Sequence, residues 1–304
     1  MLRVFIVLLT TCIAATLAAT SHALTFRLPP DGDSLVGQRR MVQSQPEYTF
    51  NIIGEAYGVG FRELIAANPG VNPWVPGDNE VLIPAEYLLP KGQPGEIVLN
   101  LAELRLYFFL EDGKTVLSYA IGIGREGRET PIMETEVRAV VHKPSWTPPA
   151  SIRAEYKAAG KTLPSVVPPG PDNPMGEYAI QLGVPSYFLH GTNLPVGIGM
   201  RASSGCIRMW DEDIHELAHT VKRGTKLRVI NQAFKAGVHR DRLYLEAHEG
   251  LEEYRNEEEP LEGLREEIER LIAQRPEFAD RVDWKKAEQA ALVKTGLPTD
   301  ITLN

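Results

Sequence analysis

Cysteine is scarce: the 304-residue chain has two, Cys12 and Cys206. Positive charge is in deficit, with 32 Lys and Arg against 40 Asp and Glu and a formal net charge of -8. No basic cluster offsets that balance, which argues against a nucleic-acid partner. Long apolar runs are also missing. The single sustained one, residues 4–19, is shorter than the roughly 20 residues a bilayer-spanning helix needs, and no later segment qualifies. That run belongs instead to a secretory leader over 1–23, with Arg3 ahead of it and Ser21-His22-Ala23 as a small-x-small cleavage site. Leu9-Thr10-Thr11-Cys12 makes a poor lipoprotein processing site, because Thr11 precedes the cysteine. Cleavage predicts an exported chain starting near Leu24. The leader carries one charge, Arg3, so the formal -8 becomes -9 without it. Cys12 leaves as well, and Cys206 cannot then form an internal disulfide. An unpaired thiol in an oxidising compartment is a liability unless it is used.

Cys206 lies in residues 187–210, YFLHGTNLPVGIGMRASSGCIRMW. An apolar strand-like run, Tyr187-Phe188-Leu189, delivers His190 to a Gly-containing turn, and a loop of glycine and small residues leads to Ser203-Ser204-Gly205-Cys206-Ile207-Arg208. A thiol is a useful nucleophile only as thiolate, and a nearby imidazole can take its proton or hold it as an ion pair. His190 and Cys206 are the candidate catalytic pair, set against the plainer reading of a lone cysteine as a small buried hydrophobe. Gly205 would leave room for a substrate carbonyl, and the N–H groups around Gly205 and Cys206 could receive an oxyanion. Arg208, two residues on, would project to the same side of a strand. It could orient a substrate carboxylate or form a structural ion pair. Ser203, Ser204 and Tyr187 are candidates for supporting the site, and Thr192 and Asn193 are substrate-facing by position.

About 280 residues beyond the leader suffice for two domains with cores. Residues 35–87 read as a strand, two short helices over 48–57 and 61–67, and a closing strand at 81–83 that stops at Pro84. Residues 95–231 form a mostly β domain, with strands at 96–100, 103–110, 116–121, 135–142, 177–182 and 226–230 and an Asp112-Gly113 hairpin turn. A Pro- and Gly-rich connection over 143–176 contains a helical segment at 151–159, and loops of that length commonly cover active sites. A helix over 211–221 has Asp211 as its N-cap and Ile214, Leu217, Ala218 and Val221 on one face. Residues 232–304 form a partly helical extension: a strand at 243–247, a solvated acidic run at 252–259, a helix opening at Pro260 and another over 284–293. The apolar stripes of those two helices are expected to pack on the main domain.

The helix after Cys206 also contains His215-Glu216-Leu217-Ala218-His219, a literal H-E-x-x-H. Such spacing puts two imidazoles on one helix face, where they could bind zinc with Glu216 as general base. A third ligand is then required, and Glu246 and His248 are the downstream candidates. The competing reading is two surface histidines on a solvated helix, with no metal and no cofactor.

Residues 57–84 resemble a LysM peptidoglycan-binding module, although Pro46-Glu47-Tyr48-Thr49-Phe50 stands where such modules have Gly-Asp-Thr-Leu. Ile121-Gly122-Ile123-Gly124, Trp146-Thr147-Pro148, residues 170–176 (GPDNPMG), His190-Gly191-Thr192-Asn193 and Ser203–Arg208 together resemble the L,D-transpeptidase (YkuD-type) family. With the LysM-like front and the C-terminal extension, the chain is similar to the periplasmic subgroup that attaches Braun lipoprotein to peptidoglycan. Two departures stand out: Ser204 occupies a position where many members have His, and a frequent glycine is absent near Thr130-Pro131-Ile132-Met133. The resemblance implies a β-sandwich-like fold and a two-step acyl transfer. Cys206 would attack the third residue of a tetrapeptide stem and expel D-Ala, and an amine of a lipoprotein lysine or another stem, or water, would resolve the thioester. A peptidoglycan-binding protein without catalysis is the alternative of a different kind.

Overall fold

The computed structural model describes residues 23–29, 32–254 and 261–303. The expected leader lies outside them apart from Ala23, as do Pro260 and most of the acidic run at 252–259. Among the described residues, nine strands form the main sheet, in the spatial order Leu24–Arg27, Thr115–Ala120, Arg105–Phe109, Glu96–Asn100, Lys226–Ile230, Met133–His142, Tyr178–Leu182, Phe188–His190 and Ile207–Arg208. Neighbours are antiparallel except at two places. Glu96–Asn100 runs parallel to Lys226–Ile230, and Phe188–His190 runs parallel to Ile207–Arg208. The second exception sets the site.

The middle strands are buried on both faces, so they read as continuous apolar runs. Leu106 and Phe108 face one core with Ile97, Leu99, Leu117 and Tyr119. Tyr107 and Phe109 face the other way, with Val98 and Val116 and under Leu28 and Leu89. The helix Asp211–Thr220 closes the first core through Ile214, Leu217 and Ala218, with Val221 following. Its expected cap is not the observed one. Trp210 occupies the N-cap position, and the Asp211 carboxylate turns back to accept the Thr192 N–H at 2.9 Å.

Ahead of the sheet, the helices Phe50–Tyr57 and Phe61–Ala67 pack on an antiparallel pair, Arg40–Gln43 with Glu80–Ile83. Thr49 caps the first helix by accepting the Ile52 N–H, and Gly58 ends it in the left-handed region. The last part of the chain has a core of its own. Strands Phe234–His239, Arg242–Ala247 and Thr299–Asp300 pair, and the helices Leu264–Gln274 and Trp284–Val293 lay Leu264, Ile268, Ala287 and Ala291 on Phe234, Leu243 and Leu245. These helical stripes therefore close on their own hairpin and not on the main domain, because the hairpin presents the nearer apolar face. Among the described residues no helix is long and apolar enough to cross a membrane.

Candidate active site

In the parallel pair Leu189 stands opposite Ile207 and His190 opposite Arg208. Side chains alternate across a strand, so Leu189 and Ile207 point into the core, where both are fully buried. Cys206, His190 and Arg208 consequently share the other face. His190 is the diagonal neighbour of Cys206, a relation that separates side-chain roots by roughly 7–8 Å and leaves an imidazole to bridge the gap. In the resting geometry each group is anchored to backbone and not to the other. The Cys206 thiol donates to the Ser186 carbonyl at 3.5 Å, and His190 Nδ1 lies 2.6 Å from the Gly191 carbonyl oxygen. A carbonyl only accepts, so Nδ1 carries the proton and the ring's lone pair is on Nε2.

The electrostatics are those of a neutral pair. Burial lowers the His190 pKa to about 4; the Gly191 and Pro174 carbonyls oppose that shift, and the Arg208 charge adds to it. Burial pushes the Cys206 thiol up, against a backbone hydrogen bond from Phe188 and the Arg208 charge. Arg208 is half-buried, and burial lowers its own pKa. Among the described residues no carboxylate pairs with it, and its buried Nε has no hydrogen-bond partner. Of the two roles open to this arginine, a structural ion pair is the one the structure does not contain.

Glycine is needed at 205 for a reason other than room. A Cβ there would meet its nearest neighbours, the Arg128 and Glu129 carbonyl oxygens and Tyr187 Cε1, at 3.6, 3.7 and 3.9 Å, which is ordinary contact. The backbone is the constraint, with φ at +110°. The Gly205 N–H is also spent, donating to Ser203 Oγ at 3.1 Å, while Ser203 Oγ itself donates to the Cys206 carbonyl at 2.5 Å. Ser203 thus ties the turn together from a buried position, and Gly205 is not free as an oxyanion donor. Ser204 accepts a hydrogen bond from Arg125 at 3.2 Å. Tyr187 follows Ser186, a non-glycine residue at φ +70°, and packs its ring toward Gly205. Thr192 is buried, with its Oγ accepting the Leu194 N–H at 3.0 Å, and so is a turn residue. Asn193 lines an open cleft of about 450 Å³ together with Lys143, Asn173, Glu177 and Asp211.

Residues 94–230 match the model of the YkuD family, the L,D-transpeptidase catalytic domain. The chain is 41% identical over 297 residues to "Probable L,D-transpeptidase YcfS" of Escherichia coli, covering 95% of this chain and 91% of that protein. It is 40% identical over 296 residues to "Probable L,D-transpeptidase ErfK/SrfK" of the same organism, covering 93% and 92%. "Probable L,D-transpeptidase YbiS" is 42% identical over 241 residues, covering 77% and 78%. The chain belongs to the L,D-transpeptidase family.

In this L,D-transpeptidase several site-building residues carry no sequence signal of their own. Asp211 is one. Its Oδ1 lies where a Cβ on Gly191 would come within 2.0 Å, so the glycine after His190 makes room for that carboxylate. Burial raises the Asp211 pKa. Arg125 and Arg128 are two more. Arg125 bridges Ser204 and Glu155, and Arg128 holds Glu155 at 2.6 Å and Ser151 at 3.0 Å. Ser151 and Glu155 lie on the helix Ala150–Ala158, inside the long connection, and that helix buries no side chain of its own. Polar tethers from the turn beside Cys206 therefore hold it.

The H-E-x-x-H segment is not a peptidase site. His215 and His219 do stand together, ring centroids 4.3 Å apart, but among the described residues no third acid or imidazole ligand clusters with them. Among the described residues the acid and imidazole ligand atoms that cluster in threes are those of Glu103, Glu246 and His248. Both candidate third ligands are thus committed elsewhere, and the Lys235 ammonium already sits 2.9 Å from Glu103 and 2.7 Å from Glu246.

Proposed function

We propose that Cys206 forms a thioester with the third residue of a peptidoglycan tetrapeptide stem and passes that acyl group to an amine. What supports this is the one-sided arrangement of a thiol, a neutral imidazole and an unpaired guanidinium at the ends of two parallel strands. In the first step His190 Nε2 takes the thiol proton as sulfur bonds to the carbonyl carbon. The peptide C–N bond then breaks, and the imidazolium returns its proton to the departing D-Ala amine. In the second step an acceptor amine attacks the thioester, the C–S bond breaks and the sulfur recovers a proton. Acceptors of three kinds share this intermediate: a lysine of a Braun-type lipoprotein, a second stem, or water. The Cys206 N–H is the donor proposed for the oxyanion. Arg208 binds a substrate carboxylate, Asn193 and Tyr187 face the stem, and Ser203, Ser204 and Thr192 hold the loops. The protein acts in the periplasm after leader removal, and residues 35–87 serve as a LysM-like contact to the wall.

Incubating the protein with a tetrapeptide muropeptide, with and without lipoprotein, tests this by mass spectrometry. Release of D-Ala and a covalent adduct on Cys206 are expected, whereas sacculus binding with no D-Ala release would leave only a wall-binding protein. Two further outcomes follow from the geometry. Arg208→Gln should raise KM roughly 10- to 100-fold with a smaller change in kcat, as expected for losing a charge-assisted carboxylate contact of about 1.5–3 kcal/mol. A KM unchanged in that variant would remove Arg208 from the binding site.

The pH profile carries the second outcome. With the His190 pKa held near 4, the base stays available well below the ordinary histidine range. The acid limb of kcat/KM should therefore fall near pH 4, while the raised thiol makes the rate climb on the alkaline side. An acid limb at about 6.5, the ordinary histidine value, would show that burial does not depress His190 in the working enzyme. The sign for stability is that of a depressed histidine. Its contribution is whole above the unfolded pKa and is lost as pH falls toward the folded value.

A further inference from the structure

We propose that His215 and His219 form a two-imidazole chelate for a borderline divalent metal such as zinc, on the exposed face of the helix Asp211–Thr220. The inference is independent of the acyl-transfer reading. Residues four apart on a helix share a face, and here both rings are exposed with centroids 4.3 Å apart and planes tilted by 39°. Two nitrogens bound to one tetrahedral zinc at about 2.0–2.1 Å each are roughly 3.3 Å apart, a spacing within reach of rings placed this way.

The orientation of His219 supplies the second, independent observation. Its Nδ1 lies 2.7 Å from the His215 carbonyl oxygen, so Nδ1 is the protonated nitrogen and Nε2 presents its lone pair outward. A metal-binding imidazole characteristically gives its other N–H to a carbonyl in this manner, which fixes the tautomer and raises ligand basicity. Tyr178 walls the pair on one side, its ring 5.1 Å from His215 and 5.3 Å from His219, and so limits the rotamers either can adopt. Placement near the helix C-terminus adds to this, because the exposed carbonyl end of the dipole favours a cation. His142 stacks on Tyr178 at 4.8 Å and pairs with Glu177, so it lines the cluster without joining the chelate. With two protein ligands, water fills the remaining positions.

Isothermal titration of the full chain with zinc chloride tests the proposal, in a Cys206→Ser background so that the thiol cannot compete. One zinc per chain is expected, with no response to magnesium chloride. His215→Gln and His219→Gln should each weaken binding roughly tenfold or more, the double variant should lose it, and His142→Gln should retain it. Circular dichroism of each variant separates ligand loss from unfolding, and histidine ring 15N shifts on zinc addition should move for His215 and His219. Zinc binding of undiminished affinity in a folded double variant would overturn the proposal. So would the absence of any zinc response in the chain that keeps both histidines.

Discussion

Cys206→Ala is expected to end acyl-enzyme formation and lower turnover by on the order of 10⁴-fold or more, the scale of loss when a covalent nucleophile is removed from a preorganised site. The fold should survive. Cys206 lies outside the apolar clusters, it pairs with no second sulfur, and its thiol meets only backbone partners, the Ser186 carbonyl at 3.5 Å and Phe188. The turn that presents it is held by other groups. Ser203 joins the Gly205 N–H to the Cys206 carbonyl, and Thr130 accepts the Gly124 N–H while donating to the Gly205 carbonyl at 2.9 Å. None of these bonds uses the sulfur. Intact-mass measurement after exposure to a tetrapeptide muropeptide or a carbapenem is the check. The parent should gain the adduct mass and the alanine variant should not, at matched melting temperature. Labelling that persists in the variant would sink the thioester mechanism altogether.

How far the sequence alone reaches can be judged from particular stretches. The helices Phe61–Ala67 and Trp284–Val293 and the strand Lys226–Ile230 coincide with their expected spans, because apolar periodicity and flanking Gly or Pro act within a few residues of each other. Several strands escaped that reading, and two of them show why. Leu24–Arg27 pairs with Thr115–Ala120, some ninety positions away along the chain, next to an expected leader whose apolar run masks its short signal. Phe234–His239 turns into Arg242–Ala247 through Arg240 and Asp241, at φ +47° and +62°. A turn of that kind is normally announced by Asn-Gly or Asp-Gly, and Arg-Asp announces nothing.

The candidate site divides in a similar way. Cys206, His190 and Arg208 were legible because three reactive side chains stood at strand-like spacing in a glycine-rich stretch. Asp211, Arg125 and Glu155 were not, since each works through a contact made across the fold. Spacing also fell short at Gly205 and Asp211. The glycine also serves a left-handed backbone that spacing does not announce, and the aspartate braces Gly191 and Thr192 where a helix cap was the local expectation.

Lys235→Met should destabilise the protein by about 3–5 kcal/mol, the usual cost of removing one partner from a buried ion cluster. Lys235 is 1% exposed, and three parts of the chain converge on it. Glu103 comes from the main sheet region, Glu246 from the C-terminal hairpin, and the Leu88 carbonyl, at 2.5 Å from Nζ, from the strand Glu86–Leu88. Tyr107 donates to Glu103 and His248 lies 2.6 Å from Glu246, so each polar group has its partner until the ammonium is taken away. Two carboxylates then face each other in a low-dielectric space.

A pH series distinguishes that charge effect from lost packing. In the parent, burial works to raise the Glu246 pKa, but Lys235 and His248 outweigh it and hold the carboxyl below its ordinary value. Its stabilising contribution is therefore present above the unfolded pKa and is lost as pH falls through the folded one. Without Lys235 the balance reverses: desolvation and the facing carboxylate favour the protonated form. The stability deficit of Lys235→Met should accordingly be largest at about pH 7 and shrink toward about pH 4. Adding Glu103→Gln and Glu246→Gln to the variant should recover much of the loss at neutral pH, because no buried charge is then left unpaired. A deficit that stays constant from neutral to acid pH in denaturant melts would mean that the lysine contributes bulk and not charge to the junction.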